Sequence, residues 1–385
     1  MFRISLFMFL LFSTYSIVGF FLPPYLLSKG LDASQIGTLL AVGSFVTIIA
    51  QPIWGYVSDK KQAVKPVITL LLFCGLLISS GFFSATAFGL ILFFYGLFAF
   101  FNSATGPLSE ALCISYAQDN NKNFGRIRLW GEIGVGSSAL ILGIVVDRIG
   151  IQSLGFLYAG TMSVALAATF LLPKSKSTAP SVRLSDFGRL FTKRKLLWCL
   201  LLALIIGIPH KMNDGMLAIH LQGLGGTDTQ LGMAWLAATF STVPAFFFIS
   251  RLIAKWNELG ILFVAATAYA VRWLLYSQAD RPELLIAAQV LHSLTFPLFF
   301  VASIQYLSRV VPTELRASGQ SLFAVTFSGL GGIIGSSGGG FAIERIGVQW
   351  TYLSGAFLAF LGAVAVFVIY VAEKRKDGGA MSHTM

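Results

Sequence analysis

Twelve apolar runs, each long enough to cross a bilayer as a helix, fill most of this 385-residue chain. They fall at 4–27, 34–57, 66–84, 87–115, 126–147, 152–173, 197–221, 229–252, 259–278, 283–308, 316–340 and 348–371. A helix needs about 20 residues to cross the hydrocarbon layer. Twelve take up roughly 240 residues and leave about 145 for loops and tails. The runs are continuous and do not alternate with period two, which excludes a membrane barrel. Apolar residues make up 56% of the chain and charged residues 11%. A soluble protein has about 25% charged residues. The reading is an all-α membrane protein of 12 transmembrane helices with the lipid bilayer as its main partner. The first run lacks a small-residue cleavage site and reads as a span, not a removable leader.

The formal net charge of +11 would suggest nucleic acid in a soluble chain. Here it follows the positive-inside rule. With the N-terminus inside, twenty of the 27 Lys and Arg lie in inner segments, four in outer ones and three within spans. Both termini are therefore expected in the cytoplasm, the chain in the cell (inner) membrane, and no nucleic-acid partner is expected. Cys74, Cys113 and Cys199 sit singly inside apolar runs, which fits neither a disulfide framework nor a metal site.

The longest connection, 174–195, is basic and carries Ser, Thr and Pro. It divides the chain into an N-terminal six-helix bundle (1–173) and a C-terminal one (196–372), with a tail at 373–385. An internal repeat supports the division. Gly143–Gly150 reads GIVVDRIG and Gly340–Gly347 reads GFAIERIG, at an offset of 197. Spans 2 and 8 align at an offset of 195, pairing Gly37 with Gly232 and Phe45 with Phe240. Transporters built from repeated halves bind their solute near the midplane, between the repeats. Span 11 is dense in glycine (Gly329, Gly331, Gly332, Gly335, Gly338, Gly339, Gly340), which permits close helix contact or sliding.

Ionisable residues inside the membrane are functional candidates. They are Glu110, Arg128, Glu132, His210, Lys211, Asp214, Arg272 and His292. Left facing lipid, the permanent charges would cost roughly 15–20 kcal/mol in all, so they must pair or face a cavity. Glu110 and Arg128 lie nine residues either side of Asp119, and Arg272 and His292 ten either side of Pro282. Residues equidistant from a hairpin turn share a depth, so each pair is expected to meet. Glu132 lies one turn beyond Arg128 on the same face, and Lys211 and Asp214 are three apart. Arg128 or Arg272 is suited to hold a carboxylate with parallel hydrogen bonds. Trp130, Trp235 and Trp273 are candidates to stack on a ring or to anchor at the membrane interface.

These residues carry a family resemblance. Phe101-Asn102 with Pro107-Leu108-Ser109-Glu110-Ala111, followed by Phe124-Gly125-Arg126-Ile127-Arg128-Leu129-Trp130-Gly131, resembles lactose permease and its relatives in the major facilitator superfamily. Val271-Arg272 and Leu291-His292-Ser293-Leu294-Thr295-Phe296-Pro297 resemble the same family's spans 9 and 10. Gly55-Tyr56-Val57-Ser58-Asp59-Lys60 resembles the superfamily's loop motif. The phenylpropionate-permease-like branch shares the Arg-Leu-Trp-Gly and Leu-His-x-x-Thr-Phe runs. The resemblance implies two pseudo-symmetric halves and proton-coupled symport of a small organic solute, such as an aromatic acid, sugar or nucleoside, by alternating access. It also implies a monomer driven by the proton gradient, with no cofactor. It places Glu110, Arg128, Arg272, His292, Asn102 and Trp130 at the solute site and Asp59 and Lys60 at a gate. Thr295 stands where lactose permease has its proton-carrying glutamate, so Glu132, Asp214, Glu110 or His292 must carry the proton if coupling persists; Glu132 is preferred. The alternatives are a proton-coupled exporter of amphipathic drugs and, disfavoured for want of a metal or nucleophile motif, a membrane enzyme.

Overall fold

The computed structural model describes residues 1–61, 63–173, 190 and 192–382. The described residues form helices and their connections. In the first half these are α1 (Phe2–Phe20), its short continuation α2 (Leu22–Ser28), α3 (Ala33–Lys61), α4 (Val64–Ser84), α5 (Phe88–Asn102), α6 (Thr105–Asp119), α7 (Phe124–Ile149) and α8 (Leu154–Thr169). The second half has α9 (Arg194–Gly223), α10 (Asp228–Ser277), α11 (Pro282–Ala288), α12 (Phe296–Val310), α13 (Arg316–Ala324) and α14 (Gly331–Ser382). α5 with α6 is one broken span. α10 turns at Asn257 and α14 at Gly347, both at positive φ, so each is two spans. Twelve spans result, as expected. Most of the 174–195 connection lies outside the described residues, as do 383–385, and the segment expected as a tail continues the helix through Ser382.

Besides the first span, which breaks at Phe21, three spans depart from straight helices. Pro107 has no N–H for the carbonyl of Ser103, and the span breaks between Asn102 and Thr105. The freed Ser103 carbonyl accepts from Gln51 Nε2 of α3 at 3.1 Å. Pro297 does the same in span 10, where Gln289–Leu294 winds as a 3₁₀ helix before α12. Span 11 contains a π turn, Val325–Leu330, between α13 and α14.

Both termini lie on one face, called here the terminal face. There the Met1 ammonium donates to the Tyr116 hydroxyl (2.7 Å), and Lys195 and Arg309 meet Glu373 at 2.7 and 3.5 Å. Toward the opposite, far face, the halves touch closely. A Cβ on Gly37 of α3 would strike the Ser336 carbonyl of α14, and one on Gly340 would strike that of Ala33. A Cβ on Gly143 of α7 would strike Asp228, and one on Gly232 of α10 would strike Ala139. Phe20 stacks on Trp235 across the same boundary, ring centroids 3.9 Å apart. Small residues here let backbones from different halves meet.

Candidate functional site

A cavity of about 1090 Å³ lies between the halves. One wall is a stripe of α3: Leu40, Gly43, Ser44, Thr47, Ile48 and Gln51. The spacing of three and four residues puts these on one helical face. Across from it stand Lys211 and Asp214 of α9, with Ser321, Ser328 and Ser336 of span 11. Tyr95, Asn102 and Ser103 complete the polar lining. Asn102, expected at the solute site, does line the cavity, and its Oδ1 is buried without a protein hydrogen-bond partner. Among the lining residues only Lys211 and Asp214 are charged, and they bond each other at 2.9 Å.

In the first half the expected hairpin pair forms. Arg128 Nε donates to Glu110 Oε1 at 2.7 Å, and its Nη1 lies 3.0 Å from Glu132 Oε1. The guanidinium also packs over the Phe12 ring of α1, 4.3 Å from its centre. The three side chains keep 25–39% of their exposure. They sit outside the cavity lining itself, beside α1, whose Val18 and Gly19 do line it. Two carboxylates already hold Arg128, so it is not the free carboxylate anchor expected from its charge.

The second half is arranged differently. Asp214 leads inward to His210, with Nε2 3.8 Å from its carboxylate. The His210 ring stacks in parallel on His292 (centroids 6.0 Å) and on Phe296 (5.3 Å). His292 Nδ1 meets Arg272 Nη1 at 2.9 Å, so this hairpin pair forms too. Arg272 also donates to Thr295 and Tyr276 at 3.3 Å and to Gln289. Arg272 is 1% exposed, so direct contact with a solute, expected from sequence, does not occur in this structure. The physical reason is its neighbourhood. Four polar groups bond its two terminal nitrogens and the Trp273 ring lies 4.9 Å away, with no acid in contact, while its Nε is buried without a hydrogen-bond partner.

The other candidate residues lie away from the cavity lining. Trp130 lies two residues, about 200° of helical turn, from Arg128 and is absent from the cavity lining. Trp235 and Trp273 are buried in packing and have no face free for a ring. Asp59 and Lys60 end α3 at the terminal face, with the Lys60 ammonium 5.8 Å from the Tyr56 ring centre. Sequence reasoning missed the Ser44-Thr47-Gln51 stripe, although its spacing was there to be read, and missed His210 as the link between cavity and core.

The family model for the MFS_1 like family matches residues 1–354. The chain belongs to this family of the major facilitator superfamily. It is 28% identical over 376 residues to the maltose permease of Geobacillus stearothermophilus, which covers 96% of this chain and 94% of that protein. It is 23% identical to the probable 3-phenylpropionic acid transporter of Escherichia coli (strain K12), covering 92% and 93%. The crystal structure of the nucleoside transporter NupG has the same fold, with a TM-score of 0.85, 17% identity and coverage of 96% and 98%. The protein is a multi-pass membrane transporter, not an enzyme.

Proposed function

We propose that this transporter takes up a neutral, polyhydroxylated solute such as a sugar or nucleoside, together with a proton, by alternating access. The terminal face is read as cytoplasmic, from the distribution of Lys and Arg, which makes the described state inward-facing. One observation carries the choice of solute: the uncharged polar groups of the cavity, set among apolar side chains such as Leu40, Ile48 and Phe98, are hydroxyls and amides, and its one cation, Lys211, is already neutralised by Asp214. A carboxylate entering this cavity would have to break that pair to find a charge partner. Hydroxyl groups need only the Ser, Thr, Asn and Gln side chains around them.

The proton is assigned to Glu132. Arg128 faces two carboxylates, so one of them can take a proton while the other still neutralises the guanidinium. Protonating Asp214 would instead leave Lys211 without its partner.

Uptake by proteoliposomes tests both parts. Maltose, uridine and 3-phenylpropionate are offered with and without an imposed proton gradient. Gradient-driven accumulation of maltose or uridine is expected. Accumulation of 3-phenylpropionate alone overturns the solute class. Glu132→Gln is expected to lose accumulation against a gradient while keeping exchange of labelled for unlabelled solute. Full accumulation in that variant removes Glu132 from the coupling.

A further inference from the structure

The internal repeat places an acid at the same position in each half, Asp147 in α7 and Glu344 in α14. Both acids reach across the boundary. Asp147 Oδ1 and Oδ2 accept from the backbone N–H groups of Asp228 (3.0 Å) and Thr229 (2.9 Å), at the start of α10. Glu344 Oε1 accepts from the backbone N–H of Ser34 (3.0 Å), at the start of α3. Ser34 and Thr229 are themselves 195 residues apart, the offset that aligns spans 2 and 8. Each receiving helix is also capped by its own chain. Asp32 and Gln35 exchange bonds at the start of α3, and Thr227 and Gln230 do so at the start of α10. The remaining first-turn amides are what the foreign acid takes.

The same elements carry the close glycine contacts. Gly143 lies one turn before Asp147 and packs on Asp228 and Thr229; Gly340 lies one turn before Glu344 and packs on Ala33. Gly150 and Gly347 then turn the chain away at φ 86° and 83°. Each repeat unit therefore holds a glycine that admits the opposite helix, an acid that binds its first amides, and a glycine that ends the contact. A carboxylate at a helix N-terminus gains both hydrogen bonds and the helix dipole. The bonds link different halves at the far face, so any motion separating the halves there must break both.

We propose that Asp147 and Glu344 are a paired latch that holds the far face shut and sets the balance between the two open states. The inference rests on the alternating-access reading, but its test does not require transport. The test places a reporter cysteine at Ser44 (Ser44→Cys), inside the cavity, in a chain with Cys74, Cys113 and Cys199 replaced by alanine. A membrane-impermeant maleimide is added from the far face. A second reporter, Gln51→Cys, is read with the same reagent from the terminal face. Asp147→Ala and Glu344→Ala are each expected to raise far-face labelling about fivefold, and the double variant about 25-fold, as for loss of one and two helix caps. Labelling from the terminal face should fall in step. Glu344→Asp should keep part of the closure that Glu344→Ala loses. Unchanged far-face labelling in the double variant overturns the latch. So does a rise at both reporters, which would mean general loosening of the fold.

Discussion

The two halves each bury an arginine in the membrane and satisfy it in opposite ways. Arg128 has two carboxylates within 3.0 Å and remains partly exposed. Arg272 has only neutral oxygens and a histidine nitrogen as hydrogen-bond partners and is almost fully buried. A cation between two acids leaves one negative charge in surplus. A cation held by neutral groups cannot be matched by protonation of any direct partner that is an acid. The contrast sets a cation matched by acids in the first half against one caged by uncharged groups, behind His210 and His292, in the second.

The largest expected effect comes from removing the first cation. Arg128→Gln leaves Glu110 and Glu132 facing each other. Uptake should fall at least about 100-fold, and stability should drop by about 1–2 kcal/mol, moderated because all three side chains are partly solvated. Adding Glu110→Gln and Glu132→Gln should recover the stability, read by thermal unfolding, without recovering uptake. Recovery of neither would mean that the trio acts through shape and not charge.

A smaller effect follows from giving the second half what it lacks. Gln289→Glu puts a carboxylate on Arg272, so the site would come to resemble that of Arg128. A gain of about 1 kcal/mol in stability is expected, because a buried charge acquires a partner, with slower uptake as Arg272 becomes more firmly held. A loss of stability would show that burying the new carboxylate costs more than its pairing with Arg272 returns.

The smallest effect concerns acids with no arginine between them. At the far-face boundary, just before the span at 229–252, Asp228 is held above the usual carboxylate range by burial and by the nearby Asp147, against a hydrogen bond from Gln222. A raised acid is penalised when ionised, so the closed boundary should tighten as pH falls through its titration and loosen above it. Asp228→Asn should flatten that dependence and lower far-face labelling about twofold.

Much of the fold was legible because membrane helices advertise their length, and hairpins place equidistant residues at one depth. That is why both expected pairs formed. The breaks at Ser103 and along Gln289–Leu294 follow from Pro107 and Pro297, but which group would accept or donate at each break depends on a neighbouring helix. The π turn carries no proline to mark it. The repeat around Asp147 and Glu344 was visible, yet the task of its acids was not, because each one's partner lies in the other half of the chain. The burial of Arg272 was hidden for a similar reason: whether a cation faces a cavity or a cage of hydroxyls is set by packing.

The π turn at Val325–Leu330 has a consequence for which groups the cavity presents. Such a turn holds one residue more than an α turn, and its Ser328 faces the cavity while Phe327 packs on His210. Were the extra residue passed along the helix, every side chain on one side of it would rotate by about 100°. Ser328 would leave the cavity lining, and the aromatic wall against the histidine would swing with it. A single local rewinding, without any tilt of the span, would therefore change the chemistry of the cavity and disturb the histidine stack in one movement.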